Sequence, residues 1–280
     1  MQNLTLRDTP FNWGDRTYIM GILNTTPDSF SDGGQFNTVD KALKQAEQMI
    51  AAGADILDIG GQSTRPGAET ISLEEELTRT IPVIQVIREK FNTPISIDTT
   101  RAAVAKAAIA AGADLVNDIS GGTFDPLMLS NVAELGVPII LMHIRGNPQT
   151  MQQLTDYQDL MAEIKQFFEK QIQQAQQRGI SKTKIILDPG IGFAKTANQN
   201  LVLLRQLSQL KALGYPLLVG PSRKSFIGQI LQQNDPKERI WGTASACCAA
   251  IANGANILRV HDVAEMVQVC RVADAIWLGE

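Results

Sequence analysis

The chain is short of the residues that build metal, disulfide and redox sites: its 280 residues include three cysteines and two histidines. Cys247, Cys248 and Cys270 form no even-numbered disulfide framework, and no Cys/His spacing suits zinc. Cys247 and Cys248 lie in an alanine-rich stretch, where small buried thiols are ordinary core residues. No apolar run reaches the roughly 18 residues of a membrane span. The opening segment MQNLTLRDTP lacks a basic stretch followed by an apolar core, so a cytoplasmic protein with no membrane partner is expected. A net charge of −4 and a pI near 5.3 remove the basic footprint that a nucleic-acid partner needs. Nucleotide loops are missing too. GPSRKSFIG lacks the Walker spacing and DPGIGFAK has too few glycines for a dinucleotide fingerprint, so neither ATP nor NAD is implied.

What the chain does have is apolar content, 44% of its residues, in a recurring arrangement. AAGADILDIG around Gly53, AAGADLVNDI around Gly112 and ANGANILRV around Gly254 each join a helix end to an apolar strand through one glycine. ELGVPIILM, RGISKTKIIL and ALGYPLLVG repeat the junction at Gly136, Gly179 and Gly214, and EKFNTPISID uses Asn92 in that role. These seven junctions and the opening run place eight strands near 18–23, 55–59, 95–98, 114–117, 137–142, 184–188, 216–220 and 256–260. Helix-period segments lie between them, as in 39–52 and 156–178; Ser72 with Glu75 reads as a capping box, and Pro82 is expected to kink the second helix. Apolar strands alternating with amphipathic helices make a parallel sheet covered on its outside. Eight βα units close best as an α/β fold, a (β/α)8 TIM barrel forming a single domain over 1–280, with a doubly wound open sheet as the alternative. Residues 1–17, with Leu4, Leu6, Phe11 and Trp13 among polar neighbours, are expected as a short hairpin plugging one end.

In such a barrel the C-terminal strand ends form the active face. They are Asn24, Asp58, Asp98, Asn117, His143, Asp188, the Ser222-Arg223-Lys224 group, and Arg259 with His261. Asp and Asn are common in turns, but polar ends on all the strands, with both histidines among them, exceed turn chemistry. Arg65, Arg223, Lys224 and Arg259, with His261 beside them, collect positive charge on one face of an acidic chain, which favours a phosphate-like ligand. Asp98 and Asp188, with Asn117 between them in chain order, suit an amidine-like N–C–NH2 edge, each charge-assisted bond contributing about 1.5–3 kcal/mol. The rival is general acid–base work, for which no neighbour in the sequence separates their pKa values.

MGILNTTPDSFSDGG, GGQSTRPGA, IDTTRA, the Asn117-Asp118 pair, LMHIRGNPQTMQ, DPGIGFAKT, SRKSFIG and RVHDV, in this order along virtually the whole chain, closely resemble dihydropteroate synthase. That family joins 6-hydroxymethyl-7,8-dihydropterin pyrophosphate to p-aminobenzoate, releasing 7,8-dihydropteroate and pyrophosphate in folate biosynthesis, and sulfonamides inhibit it. The resemblance implies that Asp98, Asn117, Asp188 and Lys224 contact the pterin, with Met142, Phe193, Gly220 and the Arg259 side chain around its ring. It implies a Mg²⁺ and pyrophosphate position at Asn24, with Thr64, Arg65, Arg259 and His261 on the anion. Phe30, Thr64, Pro66, Phe193, Lys224 and Ser225 correspond to the p-aminobenzoate side. Asp98, Lys224, Arg259 and His261 would carry the reaction. A homodimer is also implied, its face drawn from the 244–252 and 263–276 helices.

Expelling pyrophosphate needs stabilisation of developing negative charge, which is positioning and electrostatics rather than covalent catalysis. One asparagine is a reasonable Mg²⁺ ligand, because this ion keeps several waters and takes few protein oxygens. The loops at 24–38 and 60–71, with Gly33, Gly34, Gly60, Gly61 and Gly67, are expected to fold over the reacting groups. Gln62 departs from the commoner GGESTRPG spelling, and Thr100 and Pro221 are further departures that touch no assigned role. A pterin-dependent methyltransferase barrel shares the carboxylates but has no need of the SRKS and RVHD anion site. A catalytically silent paralogue would keep the pocket without Asn24, Thr64, Arg65, Lys224, Arg259 and His261 all intact.

Overall fold

The computed structural model describes residues 2–25 and 35–279, with residues 35–38 as backbone only. A two-stranded antiparallel hairpin, β1 (Leu4–Leu6) and β2 (Thr9–Phe11), precedes eight parallel strands. These are β3 (Tyr18–Asn24), β4 (Ile56–Gly60), β5 (Ile95–Asp98), β6 (Leu115–Asp118), β7 (Ile139–Met142), β8 (Ile185–Asp188), β9 (Leu218–Val219) and β10 (Ile257–Val260). The helices are α1 (Gln35–Ala51), α2 (Leu73–Lys90), α3 (Ala102–Ala110), α4 (Met128–Leu135), α5 (Leu160–Gln177), α6 (Ala197–Gln206), α7 (Ser225–Leu231), α8 (Ile240–Ala252) and α9 (Val263–Trp277). The sheet order β8-β7-β6-β5-β4-β3-β10-β9 is that of a ring, and a parallel bridge between Leu187 and Leu217 links its two ends. That bridge excludes the open sheet. Ser72 caps α2 by accepting from the Glu75 N–H at 3.1 Å, and the helix continues through Pro82. No helix among the described residues is long and apolar enough to cross a membrane.

The recurring Gly-Ala-Asp junction has a physical reason visible in three places. Gly53, Gly112 and Gly254 have φ of 101°, 114° and 94°, the left-handed region where a side chain is strained. Two residues later an Asx side chain reaches the start of the neighbouring strand. Asp55 accepts from the Ile19 N–H at 2.7 Å, Asp114 from Ile95 at 2.8 Å, and Asn256 from Leu217 at 3.0 Å. Each turn therefore ends a helix and also satisfies a backbone donor at the rim of the barrel, where the ladder has none to offer. Arg16 doubly engages Asp55, and Arg7 and Arg88 both pair with Asp114, so these rim carboxylates are neutralised.

Side chains alternate along every strand, and the two parities go to different places. Outward residues such as Leu57, Ile97, Leu141, Leu187 and Leu258 join the helices in one large apolar layer. Inward residues begin apolar: Tyr18, Met20, Ile56, Leu115, Ile140, Ile186, Leu218 and Ile257 form a second cluster with Leu4, Leu6 and Phe11 of the hairpin. The hairpin thus plugs the N-terminal mouth, as expected. Phe11 is fully buried, with its ring 4.7 Å from that of Tyr18. Burying its ring in a plug that no other element replaces makes Phe11→Ala cost about 3–5 kcal/mol in urea unfolding; a loss below about 1 kcal/mol would mean the plug contributes little.

Candidate active site

At the C-terminal mouth the inward positions turn polar. Parallel register sets Asn24 beside Gly60, Gly60 beside Asp98, Asp98 beside Asn117, and Met142 beside Asp188. Gly60 leaves the space that Asp98 needs, since a Cβ there would lie 3.3 Å from the Asp98 Cβ. One inward step deeper on β4 is Asp58, which is wholly buried.

Arg259 crosses the barrel to these carboxylates. Its Nε donates to Asp58 and its Nη2 to Asp98, both at 2.6 Å. Asn117 donates its amide N–H to the same Asp58 oxygen at 3.2 Å. Asp58 therefore sets the orientation of both an expected pterin contact and an expected anion contact. Burial opposes the Arg259 charge, yet Asp58 and Asp98 outweigh it and hold its pKa above the ordinary arginine value. Asp98 goes the other way: burial, with Asp58 nearby, raises its carboxyl despite Arg259.

Opposite them stands the β8 end. Asp188 accepts the Gly190 N–H at 2.8 Å, and burial lifts its pKa to about 6 against the pull of that N–H and of Lys224. Phe193 is buried with Ile119, Met142, Ile144 and Met151, an apolar wall for a flat ring. The Lys224 Nζ lies 4.1 Å from the centre of the Phe193 ring. Burial and Arg259 push the Lys224 amine down to about 8. Gly220 sits beside Arg259, 3.7 Å from its Cβ by an added Cβ.

The anion side differs from a simple gathering of cations. Arg223 is taken up by Asp262, to which it donates through Nε at 3.0 Å and also through Nη2. His261 is neutral, because burial and the nearby Arg223 and Arg259 push its pKa down to about 3. The Ser222 hydroxyl accepts from the His261 backbone N–H at 3.1 Å and shares a second hydrogen bond with the His261 Nδ1 at 3.0 Å. Arg65 and Pro66 are exposed at the tip of their loop, and Asn24 is half-buried at the end of β3.

The 60–71 loop is tied down from within. The Gln62 amide donates to the Ser63 and Glu69 carbonyls, both at 2.8 Å, and accepts from the Ile71 N–H at 2.8 Å. A glutamate could not make the two donations, so the departure at this position has a structural use. The Gly67 N–H bonds the Pro148 carbonyl of the loop after β7 at 3.0 Å. Beneath lies a cavity of about 190 Å³ whose walls include Thr64, Asp98, Arg101, Ile119 and Phe124. Ser225 is exposed at the first turn of α7, and Phe30, like most of the 24–38 loop, lies outside the described residues.

Asp58, Lys195, Ser222 and Asp262 hold the site together; Asp58 and Ser222 were expected only as polar strand ends without a role, and Lys195 and Asp262 were not expected at the site. Lys195 is buried and donates to the Gly190 and Phe193 carbonyls, each at 3.0 Å. Asp58 was legible as a polar strand end, but β4 runs on to Gly60 and so sets Asp58 one inward step deeper. Asp188 and Asp98, both raised by burial, accept hydrogen bonds well only when ionised. The affinity for a neutral pterin, measured by fluorescence titration, therefore rises as pH climbs from about 5 to 7.5; a flat profile would contradict the assignment of these carboxylates.

A profile described as pterin binding enzyme matches residues 20–261. The dihydropteroate synthase of Synechocystis is 66% identical over 98% of this chain and 95% of its own length. That of Escherichia coli is 48% identical over 92% of this chain and 91% of its own. A crystal structure of the Clostridium difficile enzyme in the presence of pteroic acid superposes with a TM-score of 0.91 at 47% identity, covering 95% of this chain and 99% of that one. The Yersinia pestis enzyme in a sulfonamide drug complex gives 0.92 at 44% identity, covering 98% of this chain and 99% of that one. With the barrel, its polar mouth and these relatives in agreement, the chain belongs to the dihydropteroate synthase family of pterin-binding enzymes.

Proposed function

We propose that the chain condenses 6-hydroxymethyl-7,8-dihydropterin pyrophosphate with p-aminobenzoate, forming 7,8-dihydropteroate and pyrophosphate. The observation that carries the reading is the ring of Asp98, Asn117 and Asp188 at one level of the barrel, with Arg259 and Lys224 reaching into it. The carboxylates and amide accept from the amidine-like edge of the pterin, and Phe193 with Met142 covers its ring. As the pterin enters, Arg259 leaves Asp98 and turns its Nη groups to the departing pyrophosphate, while Nε stays on Asp58. Asp98, freed, stabilises positive charge on the pterin as the methylene C–O bond breaks. The arylamine nitrogen then bonds to that methylene carbon and passes its proton to the departing pyrophosphate or to water. His261 offers a neutral imidazole to the phosphate, and Arg65 and Thr64 close from the 60–71 loop. Phe30, Pro66, Lys224 and Ser225 line the p-aminobenzoate side.

No group of three or more His, Cys, Asp or Glu side chains among the described residues is placed to hold a metal. A Mg²⁺ ion suits the site nonetheless, because the hard Asn24 oxygen stands half-buried at the strand end next to the anion side. When bound with the substrate phosphates, the ion supplies charge neutralisation to the leaving group. A homodimer is supported by the apolar surface of α7, α8 and α9, where Ile230, Trp241, Val272, Ile276 and Trp277 are all more than half exposed. Mixing the purified protein with the pterin pyrophosphate, Mg²⁺ and p-aminobenzoate, and following dihydropteroate by chromatography, tests the reading. Product is expected only when all three are present; tight pterin binding without product would make the chain a silent paralogue.

A further inference from the structure

The loop between β8 and α6, residues 189–196, carries Phe193 and satisfies Asp188, yet it is backbone-rich and irregular. Gly190 and Gly192 have φ of 72° and 83°, and Ala194, although not glycine, has φ of 48°. A Cβ on Gly190 would come within 2.1 Å of the His143 carbonyl oxygen, so the loop is pressed against the end of β7. Such a conformation persists only if its surroundings over-determine it. Lys195 is the residue that does so from the inside.

Its side chain is 3% exposed, and its Nζ meets three acceptors: the Gly190 and Phe193 carbonyls at 3.0 Å each and the His143 Nδ1 at 3.1 Å. An ammonium has three N–H donors and no lone pair, so the three acceptors match it one for one. His143 is itself buried, and burial with the adjacent Lys195 charge holds its imidazole neutral. The ring can then accept at Nδ1 while Nε2 keeps the proton. Burial pushes the Lys195 amine down to about 7, with Lys224 and Arg145 adding to the fall, and Asp188 is the neighbour that favours the ammonium. On the outer side of the same loop Asn200 accepts the Gly192 N–H at 2.7 Å. The backbone of His143 also donates to the Asp188 carbonyl at 2.9 Å, which joins the two strand ends that the lysine bridges.

Resting on the function proposed above, we infer that Lys195 is a positioning residue for pterin recognition: its ammonium fastens the 189–196 loop to His143 and so holds Asp188 and Phe193 where the ring binds. Lys195 touches no substrate. An apolar side chain of similar length would leave two carbonyls and an imidazole nitrogen buried without partners, and the loop would rearrange to satisfy them.

Steady-state kinetics of the wild type, Asp188→Asn, Lys195→Gln and Lys195→Arg test this, with nitrogen-15 NMR of the imidazoles of the unmodified protein. The chain has two histidines, so the ring signals are readily assigned. Lys195→Gln is expected to raise KM for the pterin substrate about tenfold, with kcat and KM for p-aminobenzoate within about twofold of wild type. Lys195→Arg, which keeps a charged donor, is expected to recover part of that loss. His143 is expected to show an unprotonated, hydrogen-bonded Nδ1. If Asp188→Asn leaves the KM for the pterin unchanged, the pterin assignment itself fails. If Asp188→Asn raises it and Lys195→Gln does not, the positioning role of Lys195 is overturned. A proportional fall in kcat alone, failure of both Lys195 variants to fold, or a proton on the His143 Nδ1 would also overturn it, leaving a lysine that serves only stability.

Discussion

One guanidinium held between two buried carboxylates organises the mouth of this barrel. Arg259 on β10 spans to Asp58 on β4 and Asp98 on β5, and Asp58 also fixes Asn117 on β6. Four strands are thereby connected through side chains at the level where the apolar interior ends. Removing charges from water is costly, and it is tolerable here because each has a partner at hydrogen-bonding distance. The arrangement also explains why the cationic site and the carboxylate site are not independent. The same arginine that pairs with Asp98, proposed as a pterin contact, is the one proposed for the anion side.

The opposite wall follows a similar rule with different chemistry. Asp188, Lys224 and Lys195 form a unit around Phe193 in which burial weakens each ionised group and an opposite charge offsets part of that. Lys224 rests on the Phe193 ring rather than on a carboxylate, so it stays available to a ligand. On the anion side Asp262 removes Arg223 from the pool of cations, and Ser222 holds the His261 ring through Nδ1. The result is a pocket of few free charges, each aimed by a residue that does not itself meet the ligand. That is the economy expected of a reaction run by placement rather than by a nucleophile.

The barrel was legible because its construction is local and repeated. Gly53-Ala54-Asp55 and Gly112-Ala113-Asp114 contain both the left-handed turn and the Asx that caps the adjoining strand, all within three residues. Strand ends were legible for the same reason, since position after an apolar run identifies Asp98, Asn117 and Asp188 without knowledge of their partners. What aims them was not. Asp58 acquires its role from an arginine 201 positions away, and Lys195 from a histidine 52 positions away. Positive charge was counted on Arg223 and His261 from residue type alone, whereas Asp262 and burial decide how each behaves. Gln62 looked like a neutral departure, and only the closed 60–71 loop reveals the two donations that need an amide.

The central claim is that Asp58 and Arg259 act as a pair in pterin recognition, although neither is near the other in sequence. A double-mutant cycle with Asp58→Asn and Arg259→Met, read as affinity for the pterin pyrophosphate substrate by calorimetry, tests it directly. The account predicts that the double variant loses less than the sum of the two single losses, by at least about 1 kcal/mol. Strictly additive losses would mean that Asp58 and Arg259 contribute separately, and the mouth of the barrel would need a different organising interaction.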